Sequence, residues 1–185
     1  MGDWRGMLDQ LVRERGRALF GYAYVLTGER DQAEDLLQDA LVRAFRSGRR
    51  ASSLDAAHAY VKRAIATAFI DRARRASTRP RTAAGDLQDW VGHLPVAADH
   101  APRVTTALDL QSALLTLPPR ERACVALRFI DDMTVADVAD TLGLATGTVK
   151  RYLSDGIARL REAMPDLELH DSETAAVDVK GGGER

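Results

Sequence analysis

The chain is poor in several residue types, and each shortage excludes a class of protein. Cys124 is the only cysteine among 185 residues, so it cannot form an internal disulfide and has no partner at metal-ligand spacing. The histidines share no helical face or ligand spacing, and no nucleophile has a base arranged beside it; they are His58, His93, His100 and His170. A Gly-rich phosphate loop is also missing. We therefore expect no enzyme, no cofactor, no metal and no small-molecule substrate.

Strand patterns and long apolar runs are scarce as well. Aromatic residues make up 5% of the chain, and no segment sustains the alternation of a strand. No stretch approaches the roughly 18 uninterrupted apolar residues of a membrane span. The N-terminal residues mix both charges and lack the apolar core of a signal peptide. These features predict an all-α cytoplasmic protein without membrane insertion.

Charge is present but strongly segregated along the chain. Residues 29–39 hold five acids against one base, and residues 43–81 hold eleven bases against two acids, within a net charge of −1. A solvated helix face usually interleaves both signs, whereas a dense basic block is what the neutralisation of phosphates requires. The segregation favours nucleic-acid binding over a solvated face.

Residues 134–164 predict two short helices around a tight turn. Thr134 with Asp137 three residues later fits a capping box, and Gly143 fits the left-handed end of a helix. Thr146 is the N-cap candidate of the second helix, whose predicted buried stripe is Val149, Leu153, Ile157 and Leu160. In a helix-turn-helix, this second helix enters the DNA major groove. The alternative is a plain helical hairpin with a solvated basic face.

The periodicity organises the remaining chain into helices. It predicts helices over residues 8–26, 31–45 and 54–76, and again over 107–117 and 120–130. Leu11, Val12 and Leu19 lie on the apolar stripe of the first helix, and the Pro118–Pro119 pair suits the start of the last one. Residues 78–104, interrupted by Pro and Gly, are expected to form a flexible linker, and residues 166–185 a disordered acidic tail. The sequence thus predicts two small helical domains, 1–77 and 105–165, the second of which ends in the helix-turn-helix.

Four runs resemble the extracytoplasmic-function (ECF) group of bacterial sigma-70-type RNA polymerase sigma factors. Residues 26–40, LTGERDQAEDLLQDA, look like the signature of the group's acidic helix, and residues 59–75 are similar to its promoter-melting helix. Residues 115–122, LTLPPRER, resemble the start of its second domain, and residues 146–150, TGTVK, the start of its recognition helix. The runs stand in the family's order and spacing. The resemblance implies an alternative sigma factor that binds core RNA polymerase, recognises −35 and −10 promoter elements and helps to melt the −10 region.

The resemblance also implies partners and three groups of binding residues. The group that docks on the β′ clamp of the polymerase is Asp35, Gln38 and Asp39. The group that binds the −10 element is Arg49, Arg50, Tyr60, Lys62, Arg63, Thr67, Arg72, Arg74 and Arg75. The group that binds the −35 element is Thr146, Thr148, Lys150, Arg151, Ser154 and Arg159. The polymerase β flap and an anti-sigma factor are the further partners that it implies. Tyr60, Thr67 and Asp155 depart from residues common in the family, namely Trp, Asn and Arg.

Other interpretations remain open at this point. The acids at the start of the second helix also suit a capping role, and Tyr60 also suits partial burial in the core. An activator with the same helix-turn-helix needs a receiver or ligand domain in front, for which the sequence has no strands. A regulator that acts by protein contact alone leaves the basic block unexplained.

Overall fold

A computed structural model describes residues 4–46, 51–78 and 101–165, and the regular structure within these ranges is helical. Outside the described residues lie Arg49, Arg50, the predicted tail and most of the predicted linker. Thr78 and residues 101–104 of that linker belong to the helices described below. Among the described residues, no helix has both the length and the apolar character needed to cross a membrane.

The first bundle consists of α1 (Trp4–Thr27), α2 (Arg30–Arg46) and α3 (Leu54–Thr78), which pack on one another. Its fully buried side chains include Leu11, Leu19, Leu36 and Ile65, as the helical periodicity predicts. Val12, also on the predicted apolar stripe, is exposed, because it lies about 100° around the helix from Leu11. The buried face of α1 is therefore narrower than the sequence indicates.

The second bundle begins earlier than the sequence predicts. Its helices are α4 (Ala101–Thr116), α5 (Pro119–Val125), α6 (Val135–Leu142) and α7 (Thr146–Ala163). Pro118 is the N-cap of α5 and Pro119 its first residue, where a missing amide donor costs nothing. The chain continues from α5 into a π-helical turn, Ala126–Ile130, which the sequence did not reveal.

The helix-turn-helix forms largely by local rules. The Thr134 hydroxyl accepts from the backbone N–H of Asp137 at 3.1 Å, and Gly143 ends α6 in the left-handed region with φ 62°. The prediction of Thr146 as N-cap is wrong. Ala145 occupies that position, because its carbonyl accepts from the N–H groups of Thr148 and Val149, at 2.9 and 3.1 Å.

The two bundles are in direct contact. α1 packs on α4, and α3 packs on α5 and α6. Gly28, in the turn after α1, has φ 77°, and a Cβ added there would come within 2.7 Å of a methyl carbon of Leu115. A side chain at this position would strain the backbone and would require the Leu115 side chain of the neighbouring bundle to shift.

Candidate nucleic-acid interface

The first surface is the exposed side of α7. Val149, Leu153, Gly156 and Leu160 are buried along one side of this helix, where they face α5. A Cβ at Gly156 would lie 3.1 Å from a methyl carbon of Val125, so the glycine allows the two helices to approach closely. This packing fixes the opposite side of α7 toward solvent.

The exposed side of α7 carries most of the predicted −35 residues. Thr146, Lys150, Arg151 and Ser154 are exposed, and Thr148 is half-buried. They occupy the first three turns of the helix, the part that reaches base edges when a recognition helix lies in the major groove. The structure thus brings five of the six predicted residues to one end of one helix.

Arg159 is the exception among the predicted −35 residues. It lies eight residues after Arg151, about 12 Å further along the helix, and its Nε is 3.2 Å from a carboxylate oxygen of Glu121. Asp155, one turn after Arg151, is exposed. The Glu121 pair gives Arg159 a structural role that the sequence pattern did not indicate.

Arg120 adds a cation to this surface that sequence reasoning missed. Its Nη1 donates to the Tyr152 hydroxyl at 3.3 Å, and this hydrogen bond is the main cause of a lowered Tyr152 pKa. The guanidinium of Arg151 lies 5.3 Å from the centroid of the same ring. Tyr152 therefore has two arginines around it. Arg120 is the second residue of α5, and only the tertiary packing brings it next to α7.

The second surface lies on α3. Tyr60, Arg63, Thr67 and Arg74 follow one face at helical spacing, and Tyr60 is 39% exposed. The Thr67 hydroxyl donates to the carbonyls of Arg63 and Ala64, both at 3.0 Å, so its proton is used within the helix. On this face Tyr60, Arg63 and Arg74 are exposed, and Thr67 is half-buried.

Two other predicted −10 residues point elsewhere. The ammonium group of Lys62 forms an ion pair with Asp131 of the second bundle and lies 4.8 Å from the centroid of the Tyr22 ring. Arg72 donates to Asp39 of α2 at 2.6 Å. Arg75 is exposed near the end of α3. The seven predicted −10 residues that the structure describes therefore do not form one face.

The third surface is the acidic face of α2. Asp35, Gln38 and Asp39 are all exposed, as a docking role requires. Val42 continues the same face and is 56% exposed. Val42 follows Asp35 by seven residues, which is two helical turns, and this spacing is the sequence signal that could have placed it on the acidic face. An exposed apolar side chain at the end of an acidic face gives the surface a mixed character typical of protein contacts.

The described residues hold no group of three or more His, Cys, Asp or Glu side chains placed to bind a metal ion. Cys124 is fully buried, and burial raises the pKa of its thiol to about 12. A thiol of that pKa stays protonated at neutral pH, so it is a poor nucleophile. Its role in the described structure is packing.

Comparison with known proteins gives matches in both bundles. Residues 11–79 match the family model "Sigma-70 region 2", and residues 113–162 match "Sigma-70, region 4". The ECF RNA polymerase sigma factor SigM of Mycobacterium tuberculosis is 36% identical over 157 residues, which are 84% of this chain and 76% of that protein. The RNA polymerase sigma-E factor of Streptomyces antibioticus is 30% identical over 174 residues, 92% of this chain and 89% of that protein.

A solved structure has the same fold. The sigma factor RpoE from Bartonella quintana, in a complex with the anti-sigma factor NepR, superimposes with a TM-score of 0.59. The superposition covers 91% of this chain and 100% of that chain, at 22% sequence identity. The likeness extends over both helical bundles.

Proposed function

The chain belongs to the ECF group of sigma-70-type RNA polymerase sigma factors, and we propose how its three surfaces divide the work of initiation. As a member of this family, it is an alternative sigma factor that directs core RNA polymerase to promoters and initiates transcription there. The observation that carries the proposal is the exposure of two basic helix faces and one acidic face on the two bundles that match the family.

The start of α7 reads the −35 element. Arg151 is exposed in the second turn, within reach of the groove, and an arginine there can pair bidentately with O6 and N7 of guanine. Lys150 and Ser154 flank it and contact phosphates or base edges. The two arginines around Tyr152 raise the local positive potential, which attracts the DNA backbone.

The face of α3 formed by Tyr60, Arg63, Thr67 and Arg74 binds the −10 element. Its arginines hold the phosphates of the melted strand, and the Tyr60 ring offers a stacking platform for a base at the junction. Thr67 retains its lone pairs as an acceptor, since its proton is used by the helix. Arg72 and Lys62 take part only after release from Asp39 and Asp131.

The acidic face of α2 binds the polymerase. Asp35, Gln38 and Asp39 present two carboxylates and one amide, which complement a basic partner surface such as the β′ clamp. Val42 supplies an apolar contact at the edge of this face. The second bundle contacts the β flap, so the sigma factor holds the polymerase at two places.

An anti-sigma factor is the further partner that we propose. The related RpoE was crystallised with an anti-sigma factor, and the present chain has the same two bundles. Because polymerase and chromosome are both in the cytoplasm, the chain acts there.

Run-off transcription with purified core polymerase tests the proposal. The wild-type chain should give promoter-dependent transcripts from a template that carries its own promoter, and none from a template with a scrambled −10 element. The double variant Asp35→Asn/Asp39→Asn should bind core polymerase at least tenfold more weakly, because it lacks both docking carboxylates.

Asp31→Asn is the matched control for the double variant. It removes an acid from the same helix, but at the first turn, where the charge serves the helix dipole. It should bind core polymerase like the wild type. Equal weakening in both variants would contradict the assignment of the docking face, and an absence of transcripts with wild-type protein would contradict the function.

A further inference from the structure

An acidic residue lies on the exposed side of α7, among the residues that are predicted to contact DNA. Asp155 is exposed, and it follows the exposed Arg151 by four residues. Residues four apart on a helix are neighbours on one face, with Cβ atoms about 6 Å apart. A carboxylate at this place approaches DNA phosphates of the same charge, and like charges repel. The position of Asp155 is therefore unfavourable for DNA binding unless DNA offers it a hydrogen-bond donor.

The packing of α7 on α5 fixes the direction in which Asp155 points. The buried stripe of α7 lies against α5, and Gly156, directly after Asp155, lets α5 approach closely. At about 100° per residue, Arg151 lies roughly 170° and Asp155 roughly 130° around the helix from the centre of this stripe. Ser154 lies roughly 130° from it on the other side. These three side chains form the central part of the exposed side, which faces the base edges when the helix lies in the major groove.

The two arginines next to Asp155 along α7 have other partners. The Nε of Arg159 is 3.2 Å from a carboxylate oxygen of Glu121, whose side chain is only 9% exposed. The guanidinium of Arg151 lies 5.3 Å from the centroid of the Tyr152 ring. Within the described part of the chain, Asp155 takes part in no ion pair. Its carboxylate oxygens are therefore available to a donor from outside the protein.

The chemistry of the major groove decides which base supplies such a donor. An ionised aspartate only accepts hydrogen bonds. Cytosine presents the N4 amino group and no acceptor, whereas guanine presents the acceptors N7 and O6, and thymine presents the acceptor O4 with a methyl group. Adenine presents the N6 amino group beside the acceptor N7, whose lone pair repels a carboxylate. Cytosine is therefore the base that suits an aspartate best.

We propose that Asp155 determines specificity by accepting a hydrogen bond from the N4 amino group of a cytosine in the −35 element. The inference rests on the proposed function of α7 as the reader of this element. Four residues rise about 6 Å along the helix, less than two base-pair steps of about 3.4 Å. The cytosine therefore lies within about two base pairs of the guanine that Arg151 binds. Asp155 also acts by rejection, because at any other base its charge faces an acceptor.

Selection from a pool of DNA duplexes with a randomised upstream segment tests this assignment. Core polymerase with the full chain is bound to the pool, and the retained duplexes are sequenced. The wild type should select a −35 element with a cytosine close to a guanine. Asp155→Asn keeps the size of the side chain and gives it a donor, so it should shift this one position from cytosine toward adenine, which asparagine binds through N6 and N7. The other positions should stay unchanged.

Glu162→Gln is the matched control. Glu162 is exposed on the same side of α7, but it lies about 10 Å further along the helix, beyond the turns that reach base edges. This variant should select the same element as the wild type. Identical elements for Asp155→Asn and the wild type, or the same shift in both variants, would overturn the role of Asp155 alone. A wild type that selects no common element would overturn the proposed function, and this inference with it.

Affinities for two defined duplexes separate base recognition from simple charge repulsion. One duplex carries the selected element, and in the other the C·G pair at the assigned position is replaced by T·A. By fluorescence anisotropy, the wild-type holoenzyme should bind the second duplex about tenfold more weakly. Asp155→Ala should fold normally, because the side chain is exposed, and should discriminate the two duplexes by less than about twofold. Equal strengthening on both duplexes would mean that Asp155 only repels the DNA backbone, and this would overturn the proposal.

Discussion

The helices α3 and α7 of this sigma factor are both rich in basic residues, but their cations differ in the partners that they contact. On α7, Lys150, Arg151 and Ser154 are exposed above a buried apolar stripe, and the helix packs within its own bundle. On α3, Lys62 is paired with Asp131 and Arg72 with Asp39. The start of α7 presents Lys150 and Arg151 to solvent, while Arg159 of α7 and two cations of α3 are paired with carboxylates of other elements.

The difference shows that a basic block has two possible uses. Where a cation has no acidic neighbour within reach, it remains available to phosphates. Where another element places a carboxylate next to it, the same cation is paired within the protein, and DNA must displace that carboxylate. The variants below test this distinction, beginning with the largest expected effect.

Arg122→Met should break the contact between α1 and the second bundle. The buried Arg122 donates to the carbonyls of Leu26, Leu115 and Leu117, and the variant leaves all three without their charged donor. Hydrogen bonds to charged groups contribute about 1.5–3 kcal/mol each. We expect the free energy of unfolding to fall by about 3 kcal/mol or more in urea denaturation. Arg120→Met is the control, because Arg120 is exposed and donates only to a hydroxyl in the contacts described. If Arg122→Met lowered the free energy of unfolding by less than about 1 kcal/mol, the stabilising role of the buried charge would be contradicted.

Arg151→Ala should weaken binding to a −35 duplex without a loss of stability. The lost bidentate contact corresponds to about 1–3 kcal/mol, roughly a 5- to 150-fold weaker affinity. Fluorescence anisotropy with a labelled duplex measures it. Arg161→Ala removes the same charge from an exposed position in the last turn of α7 and should change the affinity little; an equal loss would mean that the helix attracts DNA only by its net charge.

Arg63→Ala and Arg72→Ala should differ in the salt dependence of −10 binding by the holoenzyme. Each phosphate contact on a single strand contributes about 0.7 to the slope of log K against log salt. Arg63 is exposed, so its removal should reduce the slope by about that amount. Arg72 is held 2.6 Å from a carboxylate oxygen of Asp39, so its removal should reduce the slope less. Equal reductions would show that DNA binding releases Arg72 from Asp39.

Replacing His58 should give the smallest effect, which is a change in how stability depends on pH. Its pKa is lowered from 6.5, mainly by burial and then by the charges of Lys62 and Arg15. The folded state therefore favours the neutral form of His58. The stability that this residue contributes is present above pH 6.5 and is lost as the pH falls through the lower pKa of the folded state. The difference in Tm between wild type and His58→Gln should shrink between about pH 7.5 and pH 5.5. A Tm difference that stays constant over this pH range would contradict the lowered pKa of His58.

Much of the fold was predictable because its signals are local. The Thr134 cap, the left-handed Gly143, the Pro118–Pro119 helix start and the buried stripe of α7 each depend on residues at most about four positions apart along a helix, and all are confirmed. Thr146 was predicted as an N-cap and is not, because the neighbouring Ala145 supplies the capping carbonyl and has the required extended backbone. Two neighbouring residues can both be plausible N-caps, because the end of a helix is defined only to within one or two residues.

The binding surfaces were predictable only in part. Lys62, Arg72 and Arg159 carry the right charge at plausible positions, but each has a carboxylate partner on another element. Arg120 and Val42 contribute to surfaces that the resemblance did not assign to them. Lys150 and Arg151 are exposed, as a DNA-binding role requires, and their roles remain a prediction.

The sequence by itself determined most of the helices and of their buried faces, the helix-turn-helix and the family, because short-range hydrogen bonds and side-chain periodicity depend on near neighbours. Only the tertiary structure decided which cations are available. Arg72 meets Asp39 across 33 positions and Arg122 meets the Leu26 carbonyl across 96. No local pattern encodes such contacts, since they arise only when whole helices pack and bring a charge and its partner together.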